Sequence, residues 1–231
     1  MEGKQVLLTG GTGGLGLGVT PAVLARGAKV TVPYRNEQQV DRLKNQLSAE
    51  EFGKIRFVAA DLTDEATVQK LINDMGRVDV TIHLVGGFAM GETHEYSYQD
   101  WKDHLQLNLD TTFLLCKYSL ANMLQHGYGR IVTVGSRGAE QPAGQLAAYS
   151  AAKAGVVALT QAIADETKGT NITANSVLPS IIDTPSNRAG MGEENADRWV
   201  KPAAIAEVIC FLASDAAKDL RGAAIPIYGN I

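Results

Sequence analysis

Short, uninterrupted apolar runs along the chain alternate with longer segments in which apolar positions recur every three or four residues. The runs cover residues 5–9, 29–33, 55–59, 79–85, 130–134 and 171–177, with a last one near 223–227. Each is rich in Val, Ile and Leu along its whole length, the pattern of strands buried on both faces of a parallel sheet. The periodic segments, at about 14–26, 37–49, 65–74, 98–125, 147–167 and 203–213, predict the intervening helices. Seven strands alternating with six helices predict one α/β domain over residues 1–231, a doubly wound parallel sheet flanked by helices. No repeat or linker marks a second domain. Two loops are long, 86–97 (GGFAMGETHEYS) and 180–200 (SIIDTPSNRAGMGEENADRWV). Both follow carboxyl ends of strands, where open α/β sheets bind ligands, and are expected to cover a substrate site.

Composition narrows the class. At 231 residues, with 45% hydrophobic and 20% charged residues, the chain resembles an ordinary globular domain. A fold of this size buries roughly 70–75% of its unfolded surface and needs no staple. The net charge of -4 argues against nucleic acid or an anionic membrane as partner, while leaving room for a local basic pocket. The N-terminal stretch MEGKQVLLTG has no long apolar segment with a cleavage site, so a cytoplasmic protein is expected. Cys116 and Cys210 lie in apolar helical patterns and read as small hydrophobes in a reducing compartment. His94, His104 and His126 have no metal-ligand spacing, so no catalytic metal is expected.

Three pieces carry chemistry. TGGTGGLGLG, residues 9–18, follows the first strand and opens the first helix, where backbone N–H groups favour an anion such as pyrophosphate. Gly11, Gly13 and Gly16 fit one phosphate-binding register; Gly10, Gly14 and Gly16 fit another. In YSAAK, Tyr149 and Lys153 are four apart and share a helix face, so the ammonium can favour the phenolate and make a proton donor or acceptor. Taken alone, the same pair fits a core tyrosine with a solvated lysine. Ser136 ends the strand RIVTVGS, which puts its hydroxyl at the carboxyl edge of the sheet, able to hold a substrate carbonyl or simply to make a turn.

Together, TGGTGGLG, Ser136, YSAAK and LNLDTTF resemble the short-chain dehydrogenase/reductase family over nearly the whole chain. The resemblance implies a Rossmann-type sheet, a nicotinamide cofactor, a small-molecule carbonyl or alcohol substrate, and a homotetramer or homodimer. It selects Gly10, Gly14 and Gly16 as the phosphate-loop glycines, and Thr12 and Leu15 fall within the same loop. The implied roles are Tyr149 as general acid or base, Lys153 as the group that lowers the tyrosine pKa and binds the nicotinamide ribose, and Ser136 as the carbonyl anchor. Asn108 would hold a relay water; a helix-interior amide mending a kink is the other reading.

The end of the second strand decides the cofactor. It reads VTVPYRNEQQ, with Tyr34 where an acid would bind the ribose hydroxyls, and Arg35 and Asn36 next, so NADP(H) is expected over NAD(H). Glu37 suits the first turn of the following helix. Asp61 and Leu62 match the adenine-contacting pair, although Asp61 also suits a helix cap. Gly86, Pro179, Ile182 and Thr184 match further cofactor-contacting positions.

Two places depart from the family. His83-Leu84-Val85-Gly86 stands where N-N-A-G is usual, and His83 could touch a ligand or be satisfied by neighbouring backbone; Pro179-Ser180 replaces P-G. HLVGGFAMG and VLPSIIDTPSNRAGM look like the dihydropteridine reductase branch, whereas LNLDTTF, YSAAK and FLASDAA look like 3-oxoacyl-carrier-protein reductases. Phe88, Met90, Tyr96, Met191 and Trp199 are candidates for an apolar lid or for subunit packing. A dinucleotide-binding redox sensor without catalysis is the reading from another class.

Overall fold

The computed structural model describes all of residues 1–231. Its strands are β1 (Gln5–Thr9), β2 (Lys29–Tyr34), β3 (Ile55–Ala59), β4 (Val80–His83), β5 (Gly129–Val134), β6 (Ile172–Pro179) and β7 (Ala224–Ile227). They form one seven-stranded, wholly parallel sheet in the order β3-β2-β1-β4-β5-β6-β7. The order reverses between β1 and β4, and this switch point opens a crevice at the carboxyl edge. Successive residues of β1 feed opposite faces of the sheet. Val6 and Leu8 join the core cluster under the first and last helices, while Leu7 joins the cluster under the middle helices. Both faces are therefore dry, in agreement with the unbroken apolar runs.

The helices are α1 (Gly16–Leu24), α2 (Glu37–Gln46), α3 (Ala49–Gly53), α4 (Glu65–Met75), α5 (Tyr98–Leu105), α6 (Thr111–His126), α7 (Arg137–Glu140), α8 (Ala147–Glu166), α9 (Pro185–Met191) and α10 (Pro202–Leu212). Ten segments replace the six expected, for local reasons. The expected helix 37–49 breaks because Leu47 and Ser48 are extended and Ser48 opens α3 with a capping box, its hydroxyl accepting from Glu51 N while Glu51 accepts from Ser48 N. The expected helix 98–125 is interrupted by a π-helical turn at Gln106–Asp110. Thr111 and Thr112 hydroxyls donate to the Leu107 and Asn108 carbonyls (both 2.7 Å), pairing carbonyls at the widened turn. Helix α9 lies inside the loop 180–200, capped by Thr184 with Pro185 following.

Helix α1 contains Pro21, which has no N–H for the Leu17 carbonyl one turn earlier. Gln46 Nε2, at the end of α2, donates to that carbonyl at 2.7 Å and replaces the missing bond. Helix α1 also lies close against α10, since a Cβ on Gly18 would come 2.5 Å from Pro202 Cβ. No helix is long and apolar enough to cross a membrane.

Candidate active site

The glycine turn between β1 and α1 forms one wall of the crevice. Gly10 adopts φ +70, and a side chain there would meet the Leu84 backbone at 2.9 Å, just beyond β4. On Gly16 a Cβ would lie 2.2 Å from the Gly10 carbonyl, and on Gly14 it would lie 2.9 Å from Thr184 Cγ2. Of the two registers, these three positions are the ones most tightly closed to side chains. Gly16 fits the turn onto itself, and Gly18 packs closely against α10. Thr12 is buried with its hydroxyl 3.4 Å from Gln39 Oε1, and Leu15 precedes α1 with its side chain in the core.

At the end of β2, Arg35 is exposed with its guanidinium 3.9 Å from Asp61 Oδ1. Asn36 caps α2, its Oδ1 accepting from Gln38 N at 2.8 Å, and Glu37 begins that helix as expected. Asp61 is not the helix cap. It accepts from Thr63 N and Oγ1 (3.0 and 2.8 Å), bonds that hold its carboxyl below the usual range, and the cap of α4 is Asp64. Leu62 is buried in the second core cluster.

The catalytic candidates meet at the carboxyl edge on the other side of the crevice. Ser136 leaves β5 and caps α7, accepting from Gly138 N at 3.1 Å. Lys153 is 5% exposed, and its Nζ donates to the Val134 carbonyl at 3.0 Å. Asn108, fully buried in the π turn, accepts from Gly87 N (3.1 Å) and donates to the His104 carbonyl (3.0 Å). Gly86 threads between them. A Cβ there would be 2.8 Å from Asn108 Oδ1 and 3.0 Å from Lys153 Nζ, so only a glycine lets the three come this close.

Electrostatics depart from the expectation that Lys153 depresses the tyrosine pKa. Burial pushes the Tyr149 phenol above its ordinary value, with the Ser136 hydroxyl pulling the other way. The Lys153 nitrogen lies 6.0 Å from the phenol ring centroid and is itself desolvated, its pKa lowered to about 8. Removal from water raises an acid and lowers a base, so both groups move toward neutrality. His83 also differs from expectation. Its Nδ1 lies 2.7 Å from Thr9 Oγ1 and its Nε2 3.4 Å from Thr111 Oγ1, so neighbouring hydroxyls satisfy it where backbone was expected. Complete burial lowers its pKa to about 3, leaving it neutral.

The loops supply the outer walls. Phe88 is 62% exposed and contacts the Tyr149 ring edge-on at 5.1 Å between centroids, while Met90 and Met191 are exposed. Trp199 is buried at 6% exposure and packs the base of its loop, which removes it from the lid candidates. Pro179 ends β6, and Ile182 bridges to Val200. Asp183 receives Arg188 Nε (2.5 Å), Arg188 Nη2 (3.0 Å) and Lys201 Nζ (2.5 Å), which hold its carboxyl far below the usual range and close the loop at its base. No local spacing announces that knot, because its members lie five and eighteen residues apart. His104, which touches Tyr149, was also missed; its place four residues before Asn108 on one helical face was the available signal.

The crevice therefore fits a dinucleotide: a glycine-rich turn on one side, an exposed arginine beyond β2, and a lysine beside a tyrosine on the other.

The model of the short chain dehydrogenase family matches residues 4–195. D-threitol dehydrogenase of Mycolicibacterium smegmatis is 31% identical across all of this chain and 93% of its own length. The 3-oxoacyl-[acyl-carrier-protein] reductase FabG of Escherichia coli is 29% identical across all of this chain and 98% of its own. Among solved structures, ElxO with NADP bound superposes with a TM-score of 0.91 at 27% identity, covering 99% of this chain and 98% of that one.

Proposed function

The chain belongs to the short-chain dehydrogenase/reductase family of oxidoreductases, and on that premise we propose that it reduces a small-molecule carbonyl with NADPH, or oxidises the matching alcohol with NADP. The observation that supports this reading best is the meeting of Asn108, Gly86 and Lys153 beside Tyr149 at the carboxyl edge of the sheet. When bound, the nicotinamide supplies the hydride. Ser136 Oγ holds the substrate oxygen, and Tyr149 passes its phenolic proton to that oxygen as the carbonyl carbon is reduced. In oxidation the phenolate takes the proton back. Lys153, anchored on Val134, would bind the ribose, and when protonated its charge, 6.0 Å from the phenol ring, would favour the phenolate without outweighing the burial that raises the phenol. Asn108 fixes the loop through Gly87 and the His104 carbonyl, and each of its amide atoms keeps a second bonding position for a relay water.

Gly10, Thr12, Gly14, Leu15 and Gly16 would hold the pyrophosphate, Asp61 and Leu62 the adenine, and Gly86, Pro179, Ile182 and Thr184 the nicotinamide half. The preference for NADP(H) rests on Arg35, whose guanidinium stands in solvent with no acid at the end of β2, and Asn36 lies beside it. ElxO, the structural neighbour with NADP bound, lends support. Loops 86–97 and 180–200 frame the substrate, and exposed Phe113 and Leu124 on α6 suit a homodimer or homotetramer. Similarity to 3-oxoacyl reductases and a polyol dehydrogenase makes a 3-oxoacyl thioester or hydroxylated carbonyl the first substrates to try, with quinonoid dihydropterin next.

The test is NADPH and NADH consumption by the purified protein over acetoacetyl thioesters, dihydropterin, aldehydes and diketones, repeated with Tyr149→Phe. The expected result is turnover with NADPH that the variant loses while still binding cofactor. Equal turnover in Tyr149→Phe refutes the mechanism. NADPH binding without turnover across the panel returns the redox-sensor reading, and tenfold tighter NADH refutes the role of Arg35.

A further inference from the structure

Tyr149 is held from two sides. Phe88 meets its ring at 5.1 Å and 74° between planes, and His104 of α5 meets it at 5.9 Å and 65°. The two neighbours differ in kind, since Phe88 is largely exposed on a loop whereas His104 is buried on a helix. His104 also reaches a second member of the cluster, its carbonyl accepting from Asn108 Nδ2 at 3.0 Å. Its imidazole does nothing for the stability of the interior. Nε2 is shut away from solvent and has no hydrogen-bond partner, a penalty that a leucine or phenylalanine would avoid. A residue that weakens the fold where it touches two site residues is placed for function.

We propose that His104 is a positioning residue for Tyr149: its ring, packed at 65° to the phenol plane, fixes the orientation of the phenol. The inference rests on the reading of Tyr149 as proton donor and acceptor given above. Aromatic rings carry a negative face and a positive edge, so a T-shaped contact acts differently on the neutral phenol and on the phenolate. The groups facing Tyr149 are Lys153 from its own helix, Ser136 from the end of β5, His104 from α5 and the uncharged Phe88. Burial, then the Lys153 charge, hold His104 below its ordinary pKa, so it stays neutral at and above neutral pH. A change in the alkaline pH dependence therefore reports the Tyr149–Lys153 pair and not the histidine.

The test compares His104→Leu and His104→Phe with the native protein and Tyr149→Phe, following alcohol oxidation from about pH 6 to about pH 10 around the ordinary tyrosine range. His104→Leu is expected to lower kcat roughly tenfold, the size of effect that mispositioning of a reacting group produces. Its alkaline limb should shift by about half a pH unit. KM and NADP(H) affinity should not change, and the thermal midpoint should hold or rise. His104→Phe, which keeps a ring edge, should recover most of kcat. Native kcat and pH limb in His104→Leu overturn the proposal, as does an activity loss in both variants that merely tracks a lower thermal midpoint. Turnover surviving in Tyr149→Phe refutes the reading of the tyrosine and takes this inference with it. An inactive Tyr149→Phe beside a native-like His104→Leu defeats this inference alone.

Discussion

Replacing Lys153 with methionine should make the protein more stable at neutral pH while abolishing its activity. Burial lowers the lysine from its ordinary 10.5 to about 8, so the folded state resists the charged form. That drop corresponds to roughly 3 kcal/mol against folding whenever the lysine is protonated in both states. The penalty is complete below about pH 8, fades as pH rises toward 10.5 and is gone above it, because in that window the unfolded chain binds the extra proton. Methionine keeps the length and removes the charge, but it leaves the Val134 carbonyl without its donor, at a cost of about 1–3 kcal/mol. The net expectation at neutral pH is a gain of about 0–2 kcal/mol. Urea unfolding of both proteins checks it, since other titrating groups cancel in the difference. The advantage of the variant should shrink by roughly 2 kcal/mol between about pH 7.5 and about pH 9.5. A variant less stable at neutral pH, or an offset independent of pH, would show that Lys153 is not strained by desolvation.

Gly86→Ala should cut kcat about 10- to 100-fold with little change in thermal midpoint, since its methyl would press on Asn108 Oδ1 and Lys153 Nζ; native kcat would mean the cluster tolerates expansion. Arg130 lies 1% exposed at the amino end of β5, donating to the Gly129, Asn171 and Ser214 carbonyls and stacked on Tyr128 at 4.5 Å. Arg130→Met should cost about 2–4 kcal/mol in urea unfolding by leaving those carbonyls unpaired, without altering kcat, and native stability would contradict that accounting.

The sheet was legible because burial on both faces leaves an unbroken apolar run, and all seven runs became strands. Helix ends and breaks were less so. The stop at Leu47 and Ser48 depends on a reciprocal cap with Glu51 that a periodicity reading passes over, and the π turn around Asn108 depends on threonine hydroxyls finding carbonyls one turn back. In the site, the strand-end serine and the tyrosine–lysine pair could be read from spacing, whereas spacing left two glycine registers open and the family resemblance chose between them. What spacing could not supply was contact across elements: His104 against Tyr149, His83 between two threonines, and Asp183 tied to Lys201. Trp199 was misjudged because an aromatic residue in a loop says nothing of which way the loop folds.

The contact of Gly14 with Thr184 gives the crevice a mechanical property. Thr184 touches the glycine turn, caps α9 and follows the knotted Asp183, so one residue stands between the segment that would receive a dinucleotide and the segment that would close over a substrate. A shift in either segment is therefore expected to be felt by the other through Thr184, and Thr184→Ala is expected to loosen any coupling between dinucleotide and substrate binding.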